Sequence, residues 1–451
     1  MGKIRELYTK LKILTVGSHE LSSVYFKQVN ATFLIKALSI IISIIYVPLV
    51  LDFLDQEKYG IWVTLTTIVN WIKILDIGMG GGMRLKLSET IALQLPQKGR
   101  IYVSTTYGII GGIFLFVLLL FYFINPFLNW QNILNSSLIP QSQLTAITAF
   151  SVTFIILGFI LQSVNLIYLA HGNSAAGGFI QLIISSVTLI LIWLTSLFAQ
   201  KGDLLLLALI ITGIPVLVYS IVSIYTYLYK YPDFCPSLKM IRIRESGNLI
   251  SLSLQAFVNS LTYTIIYASV PFIIAHLFSP NEVTKFNIAN TIYNLPIMLY
   301  SMVTAPFLPL ITLAFAKKDY NWILLMLKKL NKASLVVVSG TIIMILFSPM
   351  IYEIWIGDKV EIPFMLSAAI GLFAIITVLQ TPFSTFTNGT GKLKIYTILS
   401  PISITSFIGF SVILSKLLNN VIGVALALSI TSFIGLIVLP IWLKKQLKNA
   451  I

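Results

Sequence analysis

Residues 31–52 read ATFLIKALSIIISIIYVPLVLD, an apolar run whose single charge before Asp52 is Lys36. An α-helix needs about 20 apolar residues to cross a ~30 Å hydrocarbon layer, and neither turn residues nor period-2 alternation offers another reading here. The same signature recurs to the C-terminus. Spans are predicted near residues 31–52, 60–82, 102–124, 143–170, 177–199, 204–228, 248–277, 285–316, 333–356, 363–387, 395–417 and 421–443. The fold class that follows is an all-α integral membrane protein of about twelve transmembrane helices. Composition agrees: 57% of the 451 residues are hydrophobic, 10% are charged, and mean hydropathy is +0.94. An ordinary soluble domain carries about 25% charge. The segment before residue 28 is charged and lacks the short apolar core and small-residue cleavage site of a signal peptide, so the first span is expected to stay in the mature protein.

A net charge of +15 raises the question of nucleic acid, and the positions of the charges decide against it. Lys3, Arg5, Lys10, Lys12 and Lys27, then Arg84, Lys86, Lys98 and Arg100, then Lys230, Lys239, Arg242 and Arg244 fall in alternate loops. Lys317, Lys318, Lys328, Lys329, Lys332, Lys392, Lys394, Lys444, Lys445 and Lys448 continue that side. The other side holds Lys58, Lys201, Lys359 and Lys416 beside the acids Asp52, Asp55, Glu57, Asp203, Glu282, Asp358 and Glu361. The positive-inside rule then puts both termini in the cytoplasm. Cys235 is the only cysteine, and the histidines are His19, His171 and His276, so neither a disulfide framework nor a Cys/His metal cluster is available.

The basic segment 230–247, punctuated by Pro232 and Pro236, falls between six spans and six spans. The expected organisation is a cytoplasmic N-terminal segment (1–28), an N-terminal six-helix bundle (29–229), a cytoplasmic linker (230–247), a C-terminal six-helix bundle (248–443) and a cytoplasmic tail (444–451). Each half opens with a long helix, an acidic turn, a polar second helix and a basic loop, so the halves read as a repeat. Repeats of this kind place a site between halves near the membrane midplane.

Charge inside hydrocarbon costs about 2.5–3.5 kcal/mol per residue on insertion scales, which makes intramembrane polar groups candidates for function. Lys36, Ser39, Ser43 and Tyr46 share one face of the first span, and Thr66, Asn70, Lys73 and Asp76 one face of the second. Lys36 and Lys73 either meet in a polar cluster or snorkel to the headgroups; Asp76 either serves function or neutralises Lys73. In the second half, Ser251, Gln255, Asn259 and Thr262 form one stripe, and Asn287, Asn290 and Asn294 another. Such stripes line a wet cavity or join helices by hydrogen bonds. Lys285, Glu353 and Trp355 read as interfacial. Pro215, Pro271, Pro296, Pro306, Pro309 and Pro382 each remove a backbone hydrogen bond inside a span and permit a kink.

The string EKYGIWVTLTTIVNWIKILDIGMGGGMRLKLSE, Glu57 to Glu89, resembles the Wzx-type O-antigen and capsule flippases, the polysaccharide-transporter branch of the multidrug/oligosaccharidyl-lipid/polysaccharide exporter superfamily. The likeness continues at IYEIWIG (Ile351 to Gly357) and NGTGKLKIY (Asn388 to Tyr396). The resemblance implies a MATE-like fold of two pseudo-symmetric six-helix bundles around a central cavity that opens alternately to each side of a bacterial cytoplasmic membrane. Its implied cargo is an undecaprenyl-diphosphate-linked oligosaccharide, moved to the outer leaflet. Lys36 and Lys73 would then face the diphosphate, while Asn70, Gln255, Asn259, Asn287, Asn290 and Asn294 face sugars. Asp76 would couple transport to a proton or sodium gradient, with no cofactor. A polysaccharide polymerase and a chain-length regulator are the implied partners beside membrane lipid.

Two other functions compete. A drug or cation antiporter of the same superfamily needs acids in its cavity, and Asp76 is the one on offer. A membrane polysaccharide polymerase normally carries catalytic residues in a large outer loop, whereas the longest such loop, Asn125 to Ser142, has no Lys, Arg, His, Asp or Glu.

Overall fold

The structure is a computed structural model that describes residues 19–72, 79–242, 246–391 and 394–448, with side chains described from residue 31 in the first helix and from 261 in the helix starting at Ser246. Among these residues it is all helix. The first half runs α1 (His19–Leu54), α2 (Gln56–Asn70), α3 (Met79–Ala92), α4 (Pro96–Ile124), the short α5 (Trp130–Leu134), α6 (Gln141–Gln162), α7 (Val164–Ala170), α8 (Ser174–Phe198) and α9 (Leu204–Tyr225). The second runs α10 (Ser246–Leu277), α11 (Pro280–Thr304), α12 (Phe307–Ala316), α13 (Tyr320–Leu346), α14 (Ser348–Ile356), α15 (Phe364–Gly389), α16 (Lys394–Leu418) and α17 (Ile422–Lys448).

Among the described residues nine helices are long and apolar enough to cross a membrane. Of the expected spans, 285–316 is not among them, and 60–82 and 248–277 lie partly outside the described residues. α2 has 15 residues, and α11 has 25 but is interrupted by amides. In α10 the apolar part among described side chains is Thr264–Leu277. Other boundaries also differ from expectation. The span expected at 143–170 divides at Ser163, whose N–H turns back to Ile160. The span expected at 285–316 divides at Pro306, and that at 333–356 divides before Pro349, because a proline has no N–H to continue a helical ladder. α13 begins well before residue 333 and carries Lys328, Lys329 and Lys332 exposed on its first turns. The loop expected from Arg84 to Arg100 is helical through Ala92.

Local chemistry accounts for the helix starts. The carboxylates of Asp55, Asp203 and Asp319 accept the N–H of Lys58, Leu206 and Trp322, and the amides of Asn129 and Asn173 accept those of Asn132 and Ala176. Each cap satisfies a donor left open in a first turn. Within the helices, most hydroxyls donate to a carbonyl three or four residues back, as Thr64 does to Gly60 and Thr341 to Val337. That keeps a polar side chain satisfied where no water is present.

In the first half α1 packs on α8, α6 on α9 and α9 on α8; in the second, α17 packs on α15 and α16, and α13 on α15. α2 lies against α11 and α10, so one apolar core continues from Leu54, Ile61 and Leu65 to Ile274, Ile288 and Phe373. The outer surface is apolar as well: Phe127 is 78% and Phe198 85% exposed. Many large apolar side chains exposed along helices of this length suit a lipid surrounding.

The described part of the segment expected as a linker packs against the first half. α9 ends in a π-turn (Thr226–Lys230), after which Tyr231 stacks on His171 at 4.0 Å between ring centres. Phe234 is buried against Gly99. Arg100 Nε donates to the Cys235 carbonyl (2.8 Å), and the N–H groups of Ser237 and Arg242 donate to the hydroxyls of Ser104 (3.0 Å) and Thr105 (2.9 Å) on α4. Lys230 sits 4.7 Å from the centre of the Tyr168 ring.

Phe234→Ala is therefore expected to cost about 3 kcal/mol, the usual scale for removing a buried Phe side chain. The check is a lowered midpoint of thermal unfolding for the detergent-solubilised protein, and a midpoint equal to wild type would show that this segment does not stabilise the fold.

Candidate substrate cavity

The second helix presents one stripe, Tyr59, Trp62, Val63, Thr66 and Asn70, at the spacing of a single helical face, and that stripe forms a wall of a cavity of about 460 Å³. α1 adds Tyr46, α6 adds Phe154, Gly158, Phe159 and Gln162, and α8 adds Gln181. α9 adds Thr212, Pro215 and Tyr219, while Asn287 enters from α11. None of the described lining residues is charged.

The lining is layered. At ~1.5 Å per residue, Tyr59 and Asn70 stand roughly 16 Å apart along α2. Around Tyr59 the cavity is aromatic, with Tyr46, Trp62 and the bound pair Tyr59–Asn287, in which the phenol donates to Oδ1 at 2.8 Å. Threonines follow: Thr66 Oγ1 donates to the Trp62 carbonyl (2.8 Å), Thr67 Oγ1 to Val63 (2.6 Å) and Thr212 Oγ1 to Ala208 (2.6 Å). At the other end come the amides Asn70, Gln162 and Gln181, of which Gln162 and Gln181 are exposed. Tyr219 stands beside them, its phenol oxygen accepting from Asn165 Nδ2 at 3.3 Å.

Contacts between the two halves close the Tyr59 end. Thr284 Oγ1 donates to the Gln56 carbonyl (2.6 Å), and Asn135 Nδ2 to those of Ala275 (2.9 Å) and Phe278 (3.1 Å). Trp355 Nε1 donates to the Ile44 carbonyl at 2.8 Å. Gly60 lies so near Pro280 that an added β-carbon would enter the shell of its carbonyl oxygen. Lys359 pairs with Asp52 at 3.1 Å, and Lys201 pairs with the same carboxylate at 3.3 Å; exposed pairs like these add about 1 kcal/mol at most. A second cavity, of about 90 Å³, lies between α10, α15, α16 and α17 and includes Thr262, Thr377, Gln380, Ser400 and Ser403.

Of the residues singled out from sequence, Asn70 and Asn287 line the large cavity. Lys36 does not: its side chain is exposed on α1, and of its stripe only Tyr46 reaches the cavity. Ser39 and Ser43 are back-bonded to Ile35 and Ile40. Asn290 and Asn294 lie on α11 away from the cavity, Asn294 exposed. Lys73, Asp76 and the side chains of Gln255 and Asn259 lie outside the described residues. Sequence reasoning missed Trp62, Gln162, Gln181 and Tyr219. The signal for the two glutamines was present, since a lone amide in an otherwise apolar span is as anomalous as a charge.

Gly60→Ala is expected to open the closed end. In a Cys235→Ser background, a Gln56→Cys/Asn281→Cys pair should cross-link readily with a short thiol reagent, because the Gln56 amide meets the Asn281 carbonyl (3.4 Å). Adding Gly60→Ala should cut the yield several-fold, and an unchanged yield would show that the approach at Pro280 is not what holds this end shut.

No family model matches the chain, and no curated protein sequence is significantly similar to it. Solved structures do share its fold. The inward-facing conformation of a multidrug resistance MATE family transporter of the MOP superfamily superposes with a TM-score of 0.72 at 14% identity, over 91% of this chain and 94% of that one. Lipid II flippase MurJ, in an inward closed conformation, gives 0.70 at 16% identity over 94% and 90%. The outward-facing MATE transporter gives 0.64 at 14% over 94% and 96%. The fold is thus that of these multi-pass membrane proteins.

Proposed function

We propose that the chain is a flippase that carries undecaprenyl-diphosphate-linked oligosaccharide repeat units of an O-antigen or capsule across a bacterial cytoplasmic membrane by alternating access. The observation that carries this reading is the chemistry of the large cavity. Aromatic faces, hydroxyls and amides in one open space are what bind the alternating apolar and hydroxylated faces of sugars. A drug or cation antiporter has the same fold to draw on, but a cationic substrate wants a carboxylate, and none of the described lining residues supplies one.

In this reading the halves at 29–229 and 248–443 rock about the cavity. The basic ends face the cytoplasm, and the Gly60–Pro280 closure is the outer gate, shut. The better superposition on the inward-facing than on the outward-facing MATE transporter supports that state. Lys36 and Lys73 handle the diphosphate, Lys36 from the exposed face of α1 and so outside the cavity. Asp76 couples the cycle to a proton or sodium gradient, and a polymerase and chain-length regulator take over the delivered unit.

A strain lacking the gene tests the proposal. Loss of surface glycan, with lipid-linked repeat units held on the cytoplasmic leaflet, is the expected outcome; repeat units reaching the outer leaflet unpolymerised would assign a polymerase instead, and unchanged glycan would favour a drug exporter. Complementation by a well-expressed Asp76→Asn protein should fail to restore export, and full restoration would remove Asp76 from the coupling role.

A further inference from the structure

We infer that the large cavity receives an uncharged sugar unit, a hexose or an N-acetylated amino sugar, and discriminates against uronates and other acidic sugars. This rests on the flippase reading and specifies its substrate class.

The argument follows the protons. Thr66, Thr67 and Thr212 have given theirs to helix carbonyls, so each turns lone pairs to the cavity and nothing positive. Tyr59 has given its proton to Asn287 Oδ1, so the donors left near the closed end are neutral ones, the Asn287 amino group and the Tyr46 hydroxyl. There Tyr46 and Trp62 present aromatic rings, whose faces are negative and suit sugar C–H groups. Beyond the threonines, Asn70, Gln162 and Gln181 make no hydrogen bond among the described residues, so each offers a carbonyl and an amino group together.

Hydroxyl and acetamido groups, which both donate and accept, match such a mixed lining. A carboxylate only accepts. Passing down the cavity it exchanges water for threonine lone pairs, ring faces and a few neutral donors, with no cation among the described lining residues to balance it. The same reasoning keeps the diphosphate out of the cavity and at its amide-lined mouth or beyond, so the glycan end is what the closed end reads.

The test uses the full-length protein in proteoliposomes with two undecaprenyl-diphosphate-linked disaccharides that differ only in the terminal residue, N-acetylglucosamine or glucuronate, and follows leaflet exchange. The neutral probe should exchange at least tenfold faster. In Gln162→Lys the order should narrow or reverse as the acidic probe gains, while Gln162→Met should slow the neutral probe without helping the acidic one. Retention on size exclusion and an unchanged thermal midpoint establish that both variants are folded. Equal rates for the two probes in wild type, or a preference unmoved by Gln162→Lys in a folded protein, would overturn the inference and leave the flippase reading standing. Exchange of neither probe by the wild-type protein would take the flippase reading down with it.

Discussion

The approach of α2 to α11 at Gly60 is the contact on which the arrangement of the cavity rests. Only a residue without a β-carbon lets α2 come this close to the Pro280 carbonyl. That nearness puts Thr284 within reach of the Gln56 carbonyl and Asn287 within reach of Tyr59. Asn287 thereby becomes part of a cavity otherwise walled by the first half. One hydrogen bond of the seal, Thr284 to Gln56, and the side chain that completes the cavity come from the same helix pair. Rearrangement of the seal would therefore alter the lining.

Hydrocarbon surroundings explain why the remaining polar groups fall into two kinds. Where a hydroxyl faces lipid or a packed neighbour, it returns its proton to its own helix, as at Ser39, Thr64 and Thr341. Amides cannot be satisfied so locally, because one helix offers their amino group few free acceptors. Three of them, Asn70, Gln162 and Gln181, converge on one cavity although they stand on three helices. The fold itself is shared by drug exporters and a lipid flippase, and it does not choose among cargoes.

Sequence alone determined what depends on local composition. The all-α membrane class, the alternation of basic and acidic loops and the polar face of α2 through Asn70 follow from length, charge and helical period. These properties belong to one helix and its solvent, and neighbours change them little. Tertiary structure decided the rest. Lys36 and Tyr46 share a face by period, yet packing of α1 leaves the lysine exposed and turns the tyrosine into the cavity. The basic segment after α9 has the composition of a tether, but Phe234 finds a slot beside Gly99, and backbone N–H groups find Ser104 and Thr105. Gln162 and Gln181 stand in different spans with nothing in either to announce the other; only the packing of α6 and α8 around α9 brings them together, because a cavity is a property of the space between helices and not of any one of them.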